Sequence, residues 1–137
     1  MNKFWGKVRK HNQRGKKLGF PTANVNLRKK IPEGIYISQT KIGQNLFPSL
    51  TFIGIARTFE EKNFRAETYI LDFEKNIYDK WISVKLIKKI RDNKKFSSIP
   101  ELIAQMEKDE QVARKYFKMK EGLYELGMKI PKFERFG

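Results

Sequence analysis

Four segments between Gly34 and Ile90 carry the signature of β-strands, and nothing between them has the spacing of a helix. "GIYISQTKI" alternates in part, and "NLFPSLTFIGIA" is β-branched and aromatic although it contains a proline. "FRAETYILDF" has the same character. In "KWISVKLIKKI" the alternation is cleanest, with Trp81, Ser83 and Lys85 against Ile82, Val84 and Leu86. Turn signals separate the runs: "IPEG" at 31–34, "KIGQN" at 41–45 and "FEEKN" at 59–63. Successive strands without crossover helices pair antiparallel, and 137 residues suffice for one domain with one core. The expected fold is an antiparallel sheet closed into a sandwich or barrel.

The pattern changes at "FSSIPELIAQMEKDEQVARKYF". Ser98 followed three residues later by Glu101 is a capping-box spacing, and Pro100 is tolerated in a first helical turn. Ile99, Leu102, Ile103, Met106, Ala113 and Phe117 mostly keep helical spacing, so one face should pack on the sheet. Asp109 and Glu110 interrupt that stripe. Residues 118–137 are basic, broken by glycines and end in aromatics, which suits a docked tail or a linker.

Composition narrows the class. Hydrophobic residues make up 39% of the chain, with 11 Phe, 5 Tyr and 2 Trp, too apolar and aromatic for a disordered segment. No run reaches the ~20 apolar residues of a membrane span, and "MNKFWGKVRK" lacks the apolar stretch of a secretory signal. The absence of cysteine excludes disulfides and thiolate metal sites. A soluble cytoplasmic protein with no membrane partner is the expectation. Thirty Lys and Arg against 15 Asp and Glu leave a formal charge of +15. Such a surface attracts polyanions, nucleic acid above all. A phosphorylated small ligand, or a bias toward Lys, Ile and Asn in the composition, accounts for part of the charge equally well.

"RGKKLGFPTAN", residues 14–24, is the densest motif. Gly15 and Gly19 serve a basic surface turn ended by Pro21, or they let backbone N–H groups approach phosphate while Lys16 and Lys17 add charge. In an extended chain Thr22 and Asn24 point to one side, and a hydroxyl with an amide oxygen suits magnesium and its waters. The spacing is not that of a Walker loop. The residues alone leave both readings open. Glu67 alone is a solvent-facing strand carboxylate or a general base, and the lone His11 has no partner that would make it a metal ligand.

"GKVRKHNQRGKKLGFPTANVNL", "IPEGIYI", "AETYILDF" and "IRDNKKFSSIPELIAQMEKD", in this order and spacing, resemble the riboflavin kinase (flavokinase) domain over roughly residues 6 to 117. In bacteria that domain is often the C-terminal half of a bifunctional riboflavin kinase/FAD synthetase; nothing here resembles the adenylylating half, and whether a second domain belongs to the protein stays open. The resemblance implies a six-stranded antiparallel Greek-key β-barrel with a C-terminal α-helix packed on it, over residues 1–117, followed by the basic tail 118–137. It implies phosphorylation of riboflavin by ATP, giving FMN and ADP. Thr22 and Asn24 would bind magnesium and the nucleotide phosphates. Gly15, Lys16, Lys17, Leu18, Gly19, Phe20 and Pro21 would form the loop over the phosphates. Tyr78 would lie near the adenine, Arg91 and Phe96 would belong to a loop closing over the flavin, and Glu67 would be the catalytic carboxylate at the flavin 5′-hydroxyl. Asp72 looks structural in this pattern.

The chain departs from the family pattern at Phe52, at Ala56 and Arg57, and at Asp79, where the family has a turn glycine. An alternative of another class is a flavin-responsive binding module whose basic surface, with the aromatic tail from Lys118 onward, contacts RNA. Steep weakening with salt would mark that alternative.

Overall fold

The computed structural model describes residues 2–9, 22–58 and 61–127. Among these residues six strands, β1 (Lys3–Lys7), β2 (Ala23–Asn26), β3 (Gly34–Ile42), β4 (Asn45–Thr58), β5 (Glu61–Ile70) and β6 (Trp81–Arg91), precede one helix, α1 (Ile99–Glu125). They form one sheet in the order β1-β6-β3-β4-β5-β2, with every neighbouring pair antiparallel. Its two edges meet just beyond β1, where the Arg9 N–H donates to the Asn24 carbonyl at 2.7 Å. The sheet is thus a nearly closed barrel. Gly6 permits the close approach of β1 and β2, because a Cβ there would run into the Val25 side chain.

The alternation of β6 places Ile82, Val84 and Leu86 inside, as expected, with Phe4, Val8, Val25, Ile53 and Ala66. The interior also holds hydroxyls. Ser38 contacts Ser49 at 2.7 Å and Thr51 at 2.8 Å, Thr40 contacts Ser49 at 2.8 Å, and Thr51 contacts Thr68 at 2.9 Å. This ladder ties β3, β4 and β5 together from within and satisfies groups that would otherwise be costly to bury.

Pro48 sits inside β4 without breaking its ladder to β3. Its carbonyl accepts from the Leu71 N–H at 3.0 Å, so its nitrogen also faces the β5 side, past the end of that strand. The missing donor is therefore not needed by β3.

α1 begins as its sequence predicts. Ser98 is the N-cap and accepts from the Glu101 N–H at 3.3 Å, while the Glu101 carboxylate reaches back to Ser97 rather than to Ser98. The helix passes Phe117 and Gly122 and ends at Glu125, eight residues into the segment read as a tail. Gly127, at φ +81°, is the left-handed residue beyond it. Residues 128–137 of that tail lie outside the described residues.

Ala113 and Phe117 pack on Ile35, Ile37, Leu50 and Leu71 of the outer barrel face. Asp109 and Glu110, the apparent interruptions of the stripe, are polar anchors. Asp109 is buried against Arg91, and Glu110 holds Arg114 at 3.1 Å. Arg114 also grips Asp72, at 2.9 and 3.0 Å, and Phe73 stacks edge-on against Phe47, which gives the Asp72-Phe73 pair a structural place.

Candidate active site

Strand pairing collects residues far apart in sequence. Asn24 on β2 lies opposite Glu67 on β5, and Glu67 opposite Phe52 on β4. Phe52 lies opposite Ile35 on β3, and Ile35 opposite Arg91 on β6. Opposed residues of antiparallel strands share a face. Ala66 and Thr68 are buried in the barrel on either side of Glu67, so this row runs across the outside. Next to it, the row Ile37, Leu50 and Tyr69 lies against α1.

Asn24 faces outward yet is only 3% exposed. Its side-chain N–H donates to the Thr22 carbonyl at 3.4 Å, and its Oδ1 accepts no hydrogen bond among the described residues. A buried acceptor without a donor is costly, about 1–3 kcal/mol, and is the kind of oxygen a cation would satisfy. Thr22, half-buried, directly precedes β2. Beside Asn24 in the row, Glu67 keeps a third of its side chain open to solvent and stands 3.9 Å from Arg65.

The phosphate-loop candidates Gly15, Lys16, Lys17, Leu18, Gly19, Phe20 and Pro21 lie outside the described residues, as does His11. The described chain on either side is fixed, because Arg9 bridges to Asn24. The same spot receives the turn carrying Tyr78. Val8 donates to the Lys80 carbonyl at 2.9 Å and Asp79 donates to the Val8 carbonyl at 3.0 Å. Asp79 adopts φ +65°, a left-handed conformation, at the position where the family pattern has glycine. Tyr78 is half-buried against the barrel core and directly precedes Asp79, whose partner Val8 adjoins the Arg9–Asn24 bridge.

At the other end of the row, the Arg91 guanidinium is engaged by Asp109 through contacts of 2.9, 3.1 and 2.7 Å. Gln105 adds a donor to Asp109 at 3.0 Å. The same guanidinium lies 5.9 Å from the Phe96 ring centre, with Lys94 at 5.8 Å. Asn93 donates to the Ile53 carbonyl at 3.3 Å, which pins the segment after β6 beside Phe52. Thus Thr22, Asn24 and Glu67 come together at one end, with Tyr78 nearby, and Arg91 with Phe96 frames the other. Arg65, Asn93 and Asp109 belong to this neighbourhood without having been read as site residues in the sequence. Arg65 could have been found from its two-residue spacing to Glu67; Asn93 and Asp109 act across separations no local pattern reveals.

The model of the riboflavin kinase (flavokinase) family matches residues 2–117. The chain belongs to the riboflavin kinase family. Its match to the trifunctional protein RibF/MnmA of Mycoplasmoides gallisepticum is 38% identical over 119 residues, 85% of this chain and 18% of that protein. The bifunctional riboflavin kinase/FMN adenylyltransferase of Bacillus subtilis is 36% identical over 112 residues, 77% of this chain and 35% of that protein. This chain therefore spans only a minor part of the length of these two relatives. The crystal structure of riboflavin kinase from Trypanosoma brucei shares the fold, with a TM-score of 0.60 at 22% identity over 85% of this chain and 79% of that one. The six-stranded barrel with a C-terminal helix is thus the family's architecture, and no helix among the described residues is long and apolar enough to cross a membrane.

Proposed function

We propose that this chain transfers the γ-phosphoryl group of ATP to the 5′-hydroxyl of riboflavin, giving FMN and ADP. One observation carries the reading beyond family membership: Asn24, with its unsatisfied buried oxygen, is the direct cross-strand neighbour of Glu67. An oxygen donor suited to a cation thus adjoins a carboxylate suited to a proton. That pairing is what phosphoryl transfer to an alcohol requires, since the reaction needs positioning and charge neutralisation more than covalent catalysis.

Magnesium fits the donors present, because the Asn24 Oδ1 lacks a partner among the described residues and the Thr22 hydroxyl is a second hard oxygen. Thr22 and Asn24 would hold it, and when bound it neutralises phosphate charge. Gly15 through Pro21 would cover the phosphates with backbone N–H groups, helped by Lys16 and Lys17. Tyr78 would rest against the adenine. Glu67 takes the proton from the riboflavin 5′-hydroxyl as that oxygen bonds to the γ-phosphorus. The bond from phosphorus to the β–γ bridging oxygen breaks, and its electron pair leaves on ADP. Phe96 would lie on the flavin, with Arg91, fixed by Asp109, supporting the ring from behind.

Incubation of the chain with riboflavin, ATP and magnesium, followed by chromatographic separation of the flavins, tests the reading. It predicts FMN that accumulates only when all three are present. Riboflavin recovered unchanged under conditions where it binds would refute it.

A further inference from the structure

We propose that the outer face of β1 and β6 binds single-stranded nucleic acid, with Trp5 and Trp81 as its stacking platform. The residues involved lie outside the candidate active site, so the inference stands independently of the kinase reading.

In the β1–β6 ladder Lys3 is opposite Lys85, Trp5 opposite Ser83 and Lys7 opposite Trp81. Phe4, Ile82 and Val84 are buried in the barrel, so these three pairs face outward. The face continues onto β3, where Lys41 lies opposite Ser83. Two indole rings therefore occupy diagonal positions in a lattice with Lys3, Lys7, Lys41 and Lys85. Trp5 is 69% exposed and Trp81 63%. Tryptophan is among the side chains with most to gain from burial, and two of them left out together on one sheet face mark a contact surface. Diagonal cross-strand neighbours stand roughly 7–8 Å apart. One extended strand can reach both rings while giving each its own base.

Charge selects the partner. β1, β3 and β6 contain no Asp or Glu at any position. An apolar partner would desolvate Lys3, Lys7 and Lys41 without offering them a counter-charge, and a duplex keeps its base faces stacked within. An acidic polypeptide would pair with the lysines but has no flat apolar groups for the rings. A single strand uses both, phosphates on the ammonium groups and bases on the indoles.

Trp5 and Trp81 are the chain's two tryptophans, so intrinsic fluorescence reads this surface alone. The full chain is titrated with a short oligothymidylate and, separately, with polyglutamate, at several salt concentrations. The proposal predicts saturable quenching by the oligonucleotide. For three or four neutralised phosphates, log affinity should fall against log salt with a slope of about −2 to −3. Trp5→Ala and Trp81→Ala, followed with a labelled oligonucleotide, should each weaken binding at least about fivefold. Both rings are exposed, and an unchanged urea midpoint verifies that the variants fold. Lys7→Gln combined with Lys41→Gln should make the salt slope shallower by about 1.4 without touching either ring. Unchanged tryptophan emission, or full affinity in both tryptophan variants, overturns the proposal. Polyglutamate binding as tightly as the oligonucleotide also overturns it and assigns the face to an acidic polypeptide.

Discussion

Asn24 points away from the barrel core, is buried, and carries an oxygen that no donor among the described residues satisfies. An acceptor in that state weakens the fold, so its removal offsets the packing that is lost and separates binding from stability. Asn24→Ala should leave the urea midpoint nearly unchanged while raising the magnesium concentration for half-maximal turnover about tenfold or more, the loss of one good ligand interaction. A magnesium titration of FMN formation decides it, and an unshifted curve removes Asn24 from the metal site. Gly34 is the opposite case, a residue required by backbone geometry. It adopts φ +149°, and a Cβ there would come within 2.9 Å of the Arg91 carbonyl oxygen. Gly34→Ala should cost about 2 kcal/mol or more, read from chemical denaturation. At this scale the sequence was half legible. "PTAN" and Glu67 are chemically suggestive, but each has a bland reading of its own. Only the β2–β5 register, which joins positions 43 residues apart, makes them neighbours.

The helix α1 is held to the barrel by an apolar strip and by polar ties, and the ties are what local patterns misread. Asp109 breaks the apolar stripe in sequence, yet its carboxylate is 8% exposed and faces Arg91 across 18 residues of chain. Removing one partner of such a pair leaves the other charge buried, so Asp109→Ala should cost about 3 kcal/mol. The double variant Asp109→Leu with Arg91→Met should recover much of that loss, and denaturation of the parent and both variants measures the recovery. A second tie joins Tyr69 to Glu110. Burial, and then that hydrogen bond, push the Tyr69 phenol up to about 12. Its folded value lies above its unfolded value near 10, so its contribution is fully present below pH ~10 and is lost as pH rises through about 12. Ultraviolet titration should therefore show a late-ionising phenol that Tyr69→Phe abolishes. A difference between the parent and Tyr69→Phe titrations that places the lost phenol near pH 10 would contradict the tie. The end of α1 was missed for a different reason. Gly122 looks like a break, but the helix tolerates it at about 1 kcal/mol and stops where Gly127 turns left-handed.

Taken whole, the barrel was legible because its strands alternate enough to show their inner faces, most clearly in β6, and because the described residues before Ser98 contain no helix. The hydroxyl ladder of Ser38, Ser49, Thr51 and Thr68 was not legible, since polar residues at inward positions imitate a solvent face. Closure was expected, but its means was not legible, because it depends on Gly6 admitting Val25 and on the bridge from Arg9 to Asn24. The net charge of +15 acts on the molecule as a unit. Self-repulsion at that charge destabilises the compact state, so the thermal midpoint should rise as salt is added from low to physiological ionic strength. A falling midpoint would mean that paired surface charges outweigh the repulsion. The central claim concerns Glu67 beside Asn24, and Glu67→Gln tests it most directly because the amide keeps the shape and loses the base. The account predicts that this variant still binds riboflavin and ATP while forming FMN on the order of a hundredfold or more slowly than the parent chain. FMN formation at the parent rate would contradict it.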